Sequence, residues 1–249
     1  MTRYAELQSE FVRTTIEALK ARIAERFPGA GLARVGAELL TLADQNQVVI
    51  ERLRRPLWPI RALTAITIVS LVALAVWAVW QLAGRASSDI GGVADLLQSA
   101  DAATNQLLLL SLALAFLVSL EMRIKRRYAL RMLHRLRSVA HVVDMHQLTK
   151  DPENALRSIP ATAYSPVRVL TPAQLARYLD YCSELLALTS KLAALHAQHL
   201  QDPVVLGAVN DIESLTADLS RKIWQKLTIL DMSLTVAARG ANAGVPDAR

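Results

Sequence analysis

The sequence predicts an all-α protein: a two-span transmembrane helical hairpin with amphipathic cytoplasmic helices on both sides and a C-terminal αα-hairpin. Three observations predict it. Ala62 to Ala83 and Ala102 to Leu120 are 22 and 19 residues without a charge, each long enough to cross a hydrocarbon core about 30 Å thick at about 1.5 Å per residue. Elsewhere apolar residues recur every three or four positions, the helical period. Basic residues crowd one end of both uncharged stretches, which orients them. The 249 residues are 53% hydrophobic, 20% charged and 5% aromatic, with mean hydropathy +0.27. That composition excludes a purely soluble domain, and the lack of alternation excludes an outer-membrane barrel.

Residues 1–56 read as cytoplasmic N-terminal helices. Over Tyr4–Phe27 the apolar face is Phe11, Val12, Ile16, Leu19, Ile23 and Phe27, and Pro28-Gly29 ends the helix. A second helix, Leu32 to about Arg55, sets Leu32, Val35, Leu39, Leu42, Asn46, Ile50 and Leu53 on one seam. Asn46 interrupts it. A polar group there either fixes register in a helical assembly or is solvated on a loosely packed helix. Pro56 and Pro59 then predict a break before the membrane.

The first span is 57–83. Trp58 and Trp80 lie 22 residues apart, roughly 33 Å of helix, so Trp58 at one edge and Trp77 and Trp80 at the other suit an aromatic belt. Some 55 polar, amphipathic residues precede it, so it is expected to be an internal anchor and no signal peptide. The external connector, 84–104, holds Arg85 against Asp89, Asp95 and Asp101, net −2, so the rest of the chain carries +8. The second span, 105–120, runs without Gly or Pro into an extension, 121–150. One helix over Asn105–Lys150 is expected, with Leu130, Leu133, Leu136, Val139, Val143 and Leu148 in repeat. Arg52, Arg54, Arg55 and Arg61 precede the first span, and Arg123, Lys125, Arg126, Arg127 and Arg131 follow the second. Both termini are therefore expected in the cytoplasm. Trp58, Arg61, Trp77, Trp80, Arg123, Lys125, Arg126 and Arg127 are the membrane-interface residues.

Residues 151–171 form a linker with Pro152, Pro160 and Pro166, and Asp151-Pro152-Glu153 caps a short successor helix. In the hairpin, 172–238, Thr171-Pro172-Ala173-Gln174 is a capping box with proline at the first helical position. Leu175, Cys182, Thr189 and His196 recur at strict sevens, interleaved with Leu179, Leu186, Ala193 and Leu200, a coiled-coil-like pattern. Asp202-Pro203 starts the return helix, with Val205, Val209, Ile212, Leu219, Ile223, Leu230 and Leu234 inward. Residues 239–249 are a frayed tail.

No chemistry stands out. His196 and His199 are three apart, as are His141 and Asp144, and such pairs on packed helices can ligate a metal. No Glu-x-x-His motif supports one, so no metal site, catalytic residue or cofactor is expected. The single Cys182 reads as a buried small residue. A pI near 9.8 could suggest nucleic acid. The clustering of charge at the membrane edges explains it without that partner. Arg221, Lys222, Trp224 and Lys226 are the candidate partner surface, with Asp218 and Lys222 in favourable spacing. The alternative is a tryptophan covering the edge of the hairpin core. The basic run 123–137 suits anionic headgroups.

These features point to a non-enzymatic inner-membrane anchor whose cytoplasmic helices self-associate into a homo-oligomer or bind a cytoplasmic protein partner. Arginine outnumbers lysine 22 to 6, a composition that points to a bacterium. The alternative is an oligomeric pore-forming or membrane-perturbing effector restrained by those helices. In arrangement alone the chain resembles two-span effectors of bacterial defence systems. The spans lack the polar stripe of an aqueous pore, which favours the anchor.

Overall fold

The computed structural model describes residues 6–86, 93–152 and 170–243. Among them there are six helices and no strand: α1 (Ser9–Arg26), α2 (Gly31–Arg54), α3 (Trp58–Ala86), α4 (Val93–Leu148), α5 (Pro172–His199) and α6 (Pro203–Ala243). They divide into two compact units. One is Arg52–Arg127; the other takes Met1–Glu51 and Tyr128–Arg249.

The second of these is a helical unit with a packed core. In α1, Val12, Ile16, Leu19 and Ile23 are buried, with Phe27 just beyond. Phe11, assigned to that face from sequence, is 72% exposed. It precedes Val12 by about 100° of helical rotation and so falls off the stripe. The helix starts at Ser9, later than Tyr4. Gly29 turns the chain with φ +75, a left-handed value that suits glycine. At Gly31 a Cβ would fall 2.5 Å from the His146 ring, so any larger residue there would require that ring to shift. Every residue of the expected α2 seam is buried, Asn46 included.

α5 carries more of the core than its heptad seam. Leu175, Leu179, Cys182, Leu186, Thr189, Ala193, His196 and Leu200 are buried as expected. A second seam, Tyr178, Tyr181, Leu185, Leu188, Leu192 and Leu195, is buried as well. Two seams on one helix require neighbours on two sides. Phe27 meets Tyr178 and Tyr181 edge-on, at ring centroid distances of 5.4 and 6.2 Å. On another side α6 packs along α5. The capping box is formed: Thr171 Oγ1 accepts from the Gln174 amide at 3.3 Å, and Gln174 Oε1 accepts from the Thr171 amide at 3.1 Å. Asp202 Oδ1 caps α6 by accepting from the Val204 and Val205 amides. The short connection at Leu200–Asp202 makes α5 and α6 antiparallel neighbours.

Two further boundaries differ from expectation. α4 begins at Val93, well before Asn105, and α6 continues to Ala243, into the expected tail. Leu148, placed in the helical repeat, and Leu234, placed on the apolar face of the return helix, are both exposed. α6 is 41 residues long against 28 for α5, so its last turns run past the start of α5, where Leu234 is 41% exposed. The capped successor to Asp151-Pro152 and the connector's Gly91–Gly92 lie outside the described residues.

In the other unit α3 and the first part of α4 are long and apolar enough to cross a membrane. Their 18-residue windows have mean hydropathy 2.1, and no part of either window is buried. Residues 55–57 are non-helical, so α2 and α3 are separate helices, as Pro56 and Pro59 require. No such break interrupts α4, which is continuous over 56 residues.

Candidate functional site

Three groups of side chains could carry function. The first lies where α3 starts. Glu121 on α4 is the single acid between Asp101 and Asp144. Its carboxylate accepts from Arg61 Nε at 3.1 Å and from the Leu57 amide at 3.5 Å, and pairs with Lys125 Nζ at 3.0 Å. The Leu57 amide lies immediately before α3, at the helix end where the dipole favours an anion. Glu121 has only 16% of its side chain exposed. Burial alone would raise its pKa, but hydrogen bonds from Arg61 and Lys125 hold it below the usual carboxylate value. Helical periodicity alone gives no role to Glu121; the available signal is its isolation just ahead of eight basic residues from Arg123 to Arg137, histidine included.

The other expected interface residues are spread along both helices. Trp58, Trp77 and Trp80 are exposed on α3. Arg123 lies over the Phe116 ring at 5.9 Å, and Arg127 is exposed.

The second group is buried. Asn46 Nδ2 donates to the Leu192 carbonyl at 3.2 Å, which turns Oδ1 toward His196 Nε2 at 2.6 Å. That pairing assigns the proton to Nε2 and leaves Nδ1 as a buried lone pair without a hydrogen bond. Burial, with His199 near by, lowers the His196 pKa to about 4. Of the two readings of Asn46, the register-fixing one fits: it is wholly buried and joins α2 to α5. His196 is thereby engaged as a core residue. Among the described residues no three of His, Cys, Asp and Glu stand close enough to hold a metal ion. Asp144 instead accepts from Gln147 Nε2 at 2.6 Å. Burial pushes the Cys182 thiol up to about 12, so it stays protonated and unreactive.

The third group is the expected partner surface, and it splits. Trp224 is 68% exposed, so it does not cover the hairpin core. Lys226 turns inward, donating to the Gln147 and Lys150 carbonyls at 2.9 and 3.3 Å, where it caps the end of α4. Desolvation lowers its pKa, against the opposing pull of Asp151 and Asp144. Arg221 pairs with Asp218 at 3.1 Å, in place of the expected Asp218–Lys222 pair. Arg221 and Lys222 are exposed beside Trp224, and further along α6 Ile229, Met232 and Val236 are exposed apolar side chains.

These features define the class: an all-α chain with one closed helical unit and two apolar helices that bury nothing in their windows. No protein-family model, curated protein or solved structure matches the chain.

Proposed function

We propose that the protein is a non-enzymatic two-span anchor of the bacterial inner membrane, with both termini in the cytoplasm, whose helical unit binds a protein partner or a second copy. One observation carries the reading: the apolar windows of α3 and α4 are wholly unburied, while the same residue types elsewhere are closed into a core. Side chains of that kind on a helix of that length match a lipid solvent. The basic residues beside both windows support a cytoplasmic face there. The outward row of Trp224, Ile229, Met232 and Val236 supports binding through α6, because tryptophan is enriched among interface anchors.

Reporter fusions at residue 92 and at residue 249 test the topology. An externally active reporter at 92 and an internal one at 249 are expected; an external reporter at 249 overturns it. Depolarisation of cells by the full chain would favour a restrained effector. Deleting 172–238 is a poor probe of restraint, because α5 fills the centre of the helical unit and its loss would unfold α1 and α2.

A further inference from the structure

One face of α4 carries an open groove of about 750 Å³, lined by Ser111, Leu114, Ala115, Val118, Ser119 and Met122, with Arg123 and Arg126 at its end. From Ser111 to Met122 is about 16 Å of helix, half of a hydrocarbon core about 30 Å thick. The apolar part of the groove thus has the length of one leaflet. The two arginines stand where that leaflet's headgroups would be.

Charge is divided around the helix. Glu121 engages Arg61 and Lys125. Arg123 lies about 200° further round α4, away from that carboxylate, and Arg126 lines the same groove. Among the described residues Arg123 pairs with no carboxylate and stacks over Phe116. A second copy laid parallel in the groove would bring its own Arg123 and Arg126 to the same level, and like charges would oppose it. An anionic headgroup is the complementary occupant.

We infer that this groove binds one anionic phospholipid of the adjoining leaflet, an acyl chain lying along Leu114–Met122 and the phosphate between Arg123 and Arg126. The inference rests on the membrane reading above. Bound there, the lipid would make the anchor sensitive to headgroup charge at a defined place on α4, beyond general attraction of the basic run to the membrane surface.

The test uses the full chain with Ser111→Cys carrying an environment-sensitive fluorophore, since Cys182 is buried and will not label. The protein is reconstituted in phosphatidylcholine vesicles containing nitroxide-labelled phosphatidylglycerol or nitroxide-labelled phosphatidylcholine. A relative association on the order of tenfold in favour of phosphatidylglycerol is expected. It should approach unity in Arg123→Gln/Arg126→Gln and persist in Arg131→Gln. Equal quenching by the two lipids, or an unchanged preference in the double variant, overturns the proposal. So does efficient inter-chain cross-linking of unlabelled Ser111→Cys in pure phosphatidylcholine, which would give the groove to a second copy. Release of the chain from the vesicles by alkaline carbonate would instead overturn the membrane reading, and the lipid site with it.

Discussion

Leu186 in α5 and Val69 in α3 are both aliphatic side chains in helices, yet the first is wholly buried and the second is 67% exposed. The helical unit sorts its residues: apolar seams inward, most charges outward, and interior polar groups such as Asn46 and His196 hydrogen-bonded. The span-bearing unit does not sort them, and apolar side chains stand all round α3 and the early part of α4. The difference is one of solvent. Water penalises exposed leucine at roughly 25 cal/mol per Å² and so closes a core, whereas a lipid tail is as apolar as the leucine.

The strongest way to break this contrast is matched truncation. Leu186→Ala should destabilise the helical unit by about 2–5 kcal/mol through lost burial and a residual cavity. Val69→Ala should leave that unit's midpoint unchanged. Denaturant titration of the full chain in micelles, followed by circular dichroism, checks both. Equal shifts would mean that α3 also belongs to a water-excluded core.

Acid sharpens the contrast next. His196 has a folded pKa near 4 against an ordinary 6.5. Between those values the unfolded chain binds a proton that the folded unit refuses, so stability is full above about pH 6.5 and falls as pH drops through 4. The loss is on the order of 3 kcal/mol. His146, also held below its ordinary value mainly by burial, acts in the same direction. Denaturation midpoints at pH 7 and pH 4.5 should differ accordingly, and His196→Gln should flatten most of the slope. The span helices should keep their ellipticity across this range. A pH-independent midpoint would place His196 in contact with water.

The smallest expected effect concerns the outward row of α6. Trp224→Ala should change stability by less than about 0.5 kcal/mol, as for other surface positions, and still weaken association if that row is a binding face. Analytical ultracentrifugation of the detergent-solubilised variant, against wild type, checks self-association. A large drop in stability would show Trp224 to be core after all.

The elements themselves were legible from spacing. The seams of α1, α2 and α5, the break at Pro56 and the caps at Thr171 and Asp202 all follow from interactions within a few residues, which one chain of letters records. The misassigned residues have the right chemistry: Phe11 falls off the buried stripe by about 100° of rotation, and Leu234 lies beyond the length of α5. The second seam of α5 was there to be read, but periodicity alone does not say that a helix has neighbours on two sides.

The candidate sites divide the same way. Length, hydropathy and charge asymmetry determined two apolar helices with basic ends, because membrane crossing depends on properties summed along a single segment. Tertiary structure alone decided that Asn46 meets His196 across 150 positions of sequence, that Lys226 caps α4, and that Glu121 gathers Arg61, Lys125 and the start of α3. A buried polar atom needs a partner within about 3 Å, and which atom supplies it is settled only when distant helices pack.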